Sequence, residues 1–304
     1  MKKSSIVLLL IIVLISCKKS VDSSIPEQNN SFRIKTTTTQ IDNESSLFIQ
    51  DYIYEEDKLT EILGRYKSNE SGELHDNYSI RFTYNLPIVI AETFIKYSVD
   101  WVPLGRFEYE IINGRMTKRI KFEMNSGVWE KSRKATYTYI GEALKLFTNE
   151  IYSSSGLKLF HKREYKYKSN VLDLCYIYET DHGNLFLHRI ENYSYEPSEI
   201  MMNSYRMSDS VIMFRIKKEL NSGKVIHLES YGHTSPENEL ILSFSQDFKY
   251  NNNGLLQETS EIKGYNTTVI NYEYELGNGN ISWFYSPEKE MDLDFSSDKK
   301  QISF

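Results

Sequence analysis

Residues 107–124 read FEYEIINGRMTKRIKFEM, and their alternation decides the fold class. Phe107, Tyr109 and Ile111 fall two residues apart, with Glu108 and Glu110 between them. Successive side chains of an extended chain point to opposite faces, so the apolar residues share one face and the acids the other. Asn113-Gly114 follows. Both central residues of a type I′ turn need positive φ, which asparagine and glycine tolerate best. Beyond the turn, Met116, Ile120, Phe122 and Met124 are read on one face, interrupted by Lys118. Arg115, Thr117, Arg119, Lys121 and Glu123 take the other. The stretch predicts an antiparallel hairpin with one half-buried face.

The same unit recurs in both directions. The chain holds 23 tyrosines and 15 phenylalanines, many of them in pairs two residues apart. The pairs are Tyr52/Tyr54, Phe82/Tyr84, Phe107/Tyr109, Tyr137/Tyr139, Tyr165/Tyr167, Tyr193/Tyr195, Phe248/Tyr250 and Tyr272/Tyr274. First members are 24 to 30 residues apart, except for a gap of 55 after Tyr193, which places a degenerate unit near Phe214 to Ile216. A period of this size marks a repeat architecture. Tight hairpin turns are expected at Asn113-Gly114, Asn253-Gly254 and Leu276-Gly-Asn-Gly-Asn-Ile281. Looser ones are expected at Ser71-Gly72, Ser126-Gly127, Ser155-Gly156 and Ser222-Gly223. The expected fold is all-β, an antiparallel up-and-down meander of about 16–18 strands. A flat sheet of that size would expose its edges and an apolar face, so a strongly curved or barrel-like sheet is expected. A β-propeller using two repeats per four-stranded blade is the alternative. Glu108, Glu110, Lys166, Lys168, Glu273 and Glu275 occupy the non-aromatic face. They oppose a transmembrane barrel, which needs an apolar outer band. The aromatic face is therefore expected to point inward.

The N-terminus has its own signature. Lys2 and Lys3 precede an uninterrupted apolar run, Ile6 to Ile15. That run is shorter than the roughly 20 residues of a spanning helix and suits a signal peptide. Leu14-Ile15-Ser16-Cys17 resembles the lipobox of bacterial lipoproteins. The resemblance implies cleavage after Ser16 and a Cys17 bearing diacylglyceryl and an N-acyl chain such as palmitate. More than one acyl chain is enough for stable membrane anchoring. It also implies attachment to the outer membrane. Lys18-Lys19-Ser20 lacks the acidic cluster associated with surface export in similar lipoproteins, so the periplasmic face is expected. Residues 1–16 are thus read as the leader, 17–46 as a lipidated flexible tether, and 47–304 as a single repetitive all-β domain. Lys35-Thr36-Thr37-Thr38-Thr39-Gln40 is the extreme of the tether's polar composition, which buries too little apolar surface to offset ordering entropy. A first strand within Phe32 to Thr38 stays open.

Phe248-Lys-Tyr250-Asn-Asn-Asn-Gly254-Leu255-Leu256 and Tyr52-Ile-Tyr54-Glu-Glu-Asp-Lys-Leu59 resemble the tyrosine-rich YD/RHS-type repeat. With its lipobox, the chain is similar to uncharacterised lipoproteins of Bacteroidota built from such repeats, over about residues 48–285. The resemblance implies repeated β-hairpins and supplies no catalytic residue.

Composition and motifs narrow the chemistry. The formal net charge is −6, and the leader takes Lys2 and Lys3 with it. The remaining cations are scattered, which opposes a nucleic-acid partner. Cys175 lies in the apolar run Val171 to Tyr178 and is expected to be a buried structural thiol. The histidines are His75, His161, His182, His188, His227 and His233, and none has zincin spacing. His182 and His188 flank the Gly183 turn and are expected on a hairpin surface. Nucleophile-elbow, phosphate-loop and dinucleotide motifs are missing. Glu288, Glu290, Asp292 and Asp294 lack the spacing of a calcium loop, so no metal or cofactor is expected. Tyrosines recurring in every unit read as cross-strand packing. The irregularly placed Trp101, Trp129 and Trp283 are the candidates for ligand contact. The expected function is a non-enzymatic cell-envelope lipoprotein, a binding or scaffold module for a glycan, peptide or lipid. A carrier of a hydrophobic ligand inside an aromatic-lined sheet and a hydrolase with a loop-borne site are the alternatives.

Overall fold

The computed structural model describes residues 32–41, 47–67, 72–234 and 239–276. Its strands are β1 (Phe32–Ile41), β2 (Leu47–Glu55), β3 (Lys58–Lys67), β4 (Leu74–Asn85), β5 (Ile88–Tyr97), β6 (Asp100–Ile112), β7 (Arg115–Asn125), β8 (Val128–Ile140) and β9 (Ala143–Ser153). They continue as β10 (Gly156–Lys168), β11 (Val171–Asp181), β12 (Asn184–Glu196), β13 (Glu199–Arg206), β14 (Ile212–Asn221), β15 (Lys224–Thr234), β16 (Glu239–Tyr250), β17 (Leu256–Lys263) and β18 (Asn266–Leu276). Every strand pairs antiparallel with its successor in sequence, and β18 returns to pair with β1. The result is one closed sheet, an 18-stranded barrel. One continuous sheet rules out the propeller, whose blades are separate four-stranded sheets.

β1 moves the expected boundary at residue 47 back to Phe32. Part of the supposed tether is a strand bonded on both sides, to β18 and to β2. Its threonines explain this. They are polar enough to read as linker, but their β-branched side chains favour extended backbone. Thr37 is buried and donates to Gln50 Oε1 at 2.9 Å.

Curvature comes from bulges in two belts. On the even-numbered strands, Asn77, Leu104, Ser132, Phe160, His188, Met213 and Ser243 each stand unpaired between paired neighbours. On the odd-numbered strands, Thr60, Thr117, Lys145, Asp173, Ile226 and Gln257 do the same near the opposite end. A bulge bends its strand and increases its twist, so a belt repeated around the sheet curls it to closure. Bulges also exchange faces. At Thr117 the register slips, and Met116 lies opposite Ile111 while Ile120 lies opposite Glu108 and Phe122 opposite Arg106. The common face expected for Met116, Ile120, Phe122 and Met124 is therefore split, because a one-residue slip turns every later side chain over.

Among the described residues no second layer covers the sheet, so the most fully enclosed large side chains mark its concave side, while Ile120 and Phe122 of the outer face each keep 8% exposed. The aromatic pairs occupy that side, with Tyr109 2% and Tyr165 0% exposed. A lipid-facing residue would be exposed in the isolated chain, so this burial excludes a barrel with its tyrosines turned outward. The repeat's second tyrosine has a fixed task. The hydroxyls of Tyr84, Tyr139, Tyr167, Tyr250 and Tyr274 donate to the carbonyls of Leu59, Met116, Leu144, Val225 and Leu256 at 2.7–3.0 Å. Each acceptor opens the odd-numbered strand of the preceding hairpin, so the hydroxyl ties consecutive units together. Lys58, Arg115 and Lys224, each one residue before its acceptor, lie over the rings of Tyr84, Tyr139 and Tyr250 at 4.9–5.8 Å. Burial pushes the Tyr84 and Tyr167 hydroxyls up to about 12, which keeps them protonated donors. In β6 the structural pair is Tyr109/Ile111 rather than Phe107/Tyr109, since Ile111 pairs with Met116 as Tyr139 does with Leu144. The degenerate unit is β14, where Leu220 holds this place opposite Val225.

The turns divide. Asn113 and Gly114 have φ of 53° and 74°, as a type I′ hairpin requires. Ser126-Gly127 is equally tight, with φ of 48° and 83°. Asn253-Gly254 is not a two-residue tip. That connection runs from Asn251 to Leu255, and Asn251 Oδ1 accepts the N–H groups of Asn253 and Leu255, both at 3.0 Å. The Leu276 to Ile281 turn lies mostly outside the described residues.

Alanine at Tyr137 or Tyr165 should cost about 3–5 kcal/mol, as truncation of a large core side chain does. Alanine at the outward neighbours Thr138 or Lys166 should stay within about 0.5 kcal/mol. Urea denaturation of the four variants measures this; equal costs on the two faces would refute the face assignment.

Candidate functional site

The two ends of the barrel differ. Connections from even to odd strands, together with Phe32 and Leu276, lie at the tyrosine end. Connections from odd to even strands form the rim end.

Between them the outer face is a lattice of ion pairs. Arg81 meets Glu61 at 3.3 Å, and Arg106 meets both Glu92 at 3.6 Å and Glu108 at 2.8 Å. Lys118–Glu110, Lys134–Glu150, Lys162–Glu164 and Lys217–Glu219 continue it at 2.5–3.0 Å. Hydrogen bonds from Lys118 and Thr117 hold the Glu110 carboxyl below its usual range, against a smaller opposing effect of burial. Exposed pairs of this kind contribute little each to stability. Collectively they pair much of the charge on this face, and such residues would be costly in a hydrocarbon layer.

Among the described residues, buried titratable groups gather in the interior around Cys175. Cys175 is fully buried, and burial, then the Glu191 charge, pushes its thiol well above the usual range. A reactive cysteine needs the opposite shift. Arg163 and Glu191 are buried beside it, Glu191 accepting from the Tyr193 hydroxyl at 3.1 Å. His182 and His188 do not meet: His182 sits near Asp181, and His188, a bulge residue, near Glu179 at 3.9 Å. His227 has two carboxylate neighbours on the outer face, Asp247 at 2.6 Å and Glu229 at 3.6 Å. Among the described residues no group of three His, Cys, Asp or Glu is placed to hold a metal ion.

Trp101 and Trp129 face outward at the rim end. Trp101 lies opposite Lys96, with Lys96 Nζ 5.5 Å and the Arg81 guanidinium 5.8 Å from its ring. Trp129 lies opposite Met124 on the same outer face, two strands away. Both candidates for ligand contact thus lie on the outer face rather than the concave one. They belong to a belt around the rim. Trp283 and Cys17 lie outside the described residues.

The rim is the surface that motif reading missed. Most of the exposed large apolar side chains lie within a few residues of the rim turns. Val99 is 81% exposed, Val128 63%, and Tyr265 fully exposed at hairpin tips. Leu157, Leu185 and Leu242 are exposed on the outer lip, and Val102, Phe186 and Ile241 on the inner lip. The signal was present as apolar residues adjoining turns, in Ser98-Val99, Gly127-Val128, Gly156-Leu157 and Gly264-Tyr265, where polar residues are the rule.

No family model and no curated protein matches the chain. Solved structures similar to it include a protein with unknown function from Bacteroides fragilis, 16% identical, spanning 40% of this chain and 93% of its own, with a TM-score of 0.36. A porin-like protein from Bacteroides vulgatus is 7% identical and spans 80% of this chain and 98% of its own, with a TM-score of 0.38.

The His227 cluster gives a pH signature. Partial burial works against its charged ring, but the Asp247 hydrogen bond and the Asp247 and Glu229 charges outweigh it and raise the imidazole above its usual value. A raised folded-state value stabilises the fold below the unfolded-state value, near 6.5, and this contribution is lost as pH rises through the folded-state value. His227→Gln should therefore lower the melting temperature at pH 6 and leave it nearly unchanged at pH 9. A melting difference independent of pH would show that the ring acts by packing alone.

Proposed function

We propose that the chain is a non-enzymatic binding module of the cell envelope, anchored through a lipidated Cys17 at the periplasmic face of the outer membrane. The observation that carries the binding role is a contrast of surfaces. Many outer charges are paired with one another and the tyrosine belt is used up in packing, which leaves the apolar rim as the large apolar surface that the fold does not bury. Exposed apolar residues gathered at one end of a fold, rather than scattered over it, point to an interaction site. The anchor rests on the lipobox-like Leu14-Ile15-Ser16-Cys17 and the apolar run before it.

A second reading, a carrier for a hydrophobic ligand, has one supporting observation. The apolar residues of the inner lip, Val102, Phe186 and Ile241, would line an entrance to the interior.

Cells fed labelled palmitate should incorporate it into the wild-type protein and not into Cys17→Ala. An unlabelled wild type would refute the anchor. The carrier reading predicts that folded wild type takes up a hydrophobic dye with a fixed stoichiometry, lowered by Phe186→Asp at unchanged melting temperature. A folded protein that takes up no dye would end that reading.

A further inference from the structure

We propose that the rim is a lipid-docking ring, by which the barrel stands on the surface of a bilayer with its hairpin tips in the interfacial region. This deepens the binding role above by naming its partner as a lipid surface.

The form of the apolar surface favours lipid over protein. The exposed residues are not a patch on one side of the barrel. They recur from turn to turn around its mouth, at Val99, Val128, Phe160, Phe186, Met207 and Tyr265. Polar turn residues such as Ser98, Ser126, His182 and Ser210 separate them. Successive tips are two strand spacings, or about 10 Å, apart. A protein partner rewards contiguous, densely packed area. Isolated apolar tips set at one end of the barrel suit a fluid interface, which accepts each tip independently. Behind the tips, Trp101 and Trp129 lie half-buried on the outer face. Tryptophan and tyrosine, apolar bodies with one polar atom, are the residues that settle at the membrane interface. Charge begins beside them, with Lys96 opposite Trp101, and continues along the outer face at Arg106, Lys134 and Lys162, on the same three strands that carry Trp101, Trp129 and Leu157. Penetration would therefore stop at the depth of the rim.

The tether permits this pose. Fourteen residues, or fifteen steps along the chain, separate Cys17 from Phe32 at the tyrosine end. Extended, they reach about 50 Å. The longest strands have 13 residues. At a typical barrel tilt such a strand spans about 33 Å along the axis. A chain anchored through Cys17 can thus pass alongside the barrel and leave the rim against the bilayer that holds the lipid.

The test uses the mature chain bearing Cys17→Ser, which carries no lipid, and vesicles of phosphatidylethanolamine and phosphatidylglycerol. It should co-sediment with the vesicles. The triple variant Val99→Asp, Val128→Asp and Tyr265→Asp should bind at least tenfold more weakly. A matched triple at the exposed positions of the tyrosine end, Leu86→Asp, Ile140→Asp and Leu276→Asp, should bind as the parent does. In a Trp283→Phe background, bromine on the upper acyl chain should quench Trp101 and Trp129, a readout that needs no rim variant to fold. A folded parent that stays in the supernatant, absence of quenching, or equal weakening by both triples overturns the proposal. So does a parent that ignores vesicles and forms a dimer that the rim triple dissociates, since the rim would then join two copies. Because this chain lacks the lipid, docking fails or succeeds separately from anchoring: unlabelled wild-type protein together with vesicle binding would remove the anchor and keep the ring.

Discussion

An antiparallel sheet of eighteen strands has two open edges until its ends meet, and here they meet along β1. Open edges present unpaired N–H and C=O groups and invite pairing with other chains. β1 satisfies both at once, bonding β18 on one side and β2 on the other. Arg33 reinforces the junction from a single position. It pairs with Glu275 of β18 at 2.7 Å, lies over the Tyr54 ring of β2 at 4.2 Å, and donates to the Glu56 carbonyl in the following turn at 2.7 Å. Closure then separates the two faces for good. One becomes an interior where the repeat's tyrosines bury their rings, and the other an exterior laced with ion pairs within and between strands.

This division of labour leaves function at the ends. The tyrosine end is occupied by structural work, each second tyrosine reaching back to a backbone carbonyl of the hairpin before it. Among the described residues the rim end has no equivalent. Its even-numbered strands begin with apolar residues that the fold does not bury, such as Leu157, Leu185 and Leu242. A fold indifferent to its rim is free to specialise it, which is why binding is placed there rather than in the barrel wall.

The repeat was legible because two-residue spacing and a 24–30-residue period are properties of a single strand and a single hairpin. Even the degenerate unit at β14 could be located from the 55-residue gap it leaves. What escaped depended on contacts between units. The bulge at Thr117, which sends Met116 inward and Ile120 outward, leaves no mark in a local alternation pattern. Asn253-Gly254 looked like a hairpin tip, and only the Asn251 side chain, capping two N–H groups, reveals a longer connection. β1 was obscured by composition: four consecutive threonines resemble a linker unless strands stand ready on both sides. Trp101 and Trp129 were rightly singled out as irregular, but their facing outward follows from the register of β6 and β8, which the sequence alone does not reveal.

The closing junction also sets an order on assembly. Every other strand pair joins neighbours in sequence, so hairpins can zip together as the chain emerges. The Arg33–Glu275 contact instead spans 242 residues. Loop-closure entropy of that size is met only at the end, and long-range pairing is the slow step of folding. The first strand made, polar and paired with β2 alone, must therefore wait with its other edge open for the last. A run of threonines can wait in water without collapsing or aggregating, as a run of valines could not, and the composition that disguised β1 as a linker equips it to be the latch.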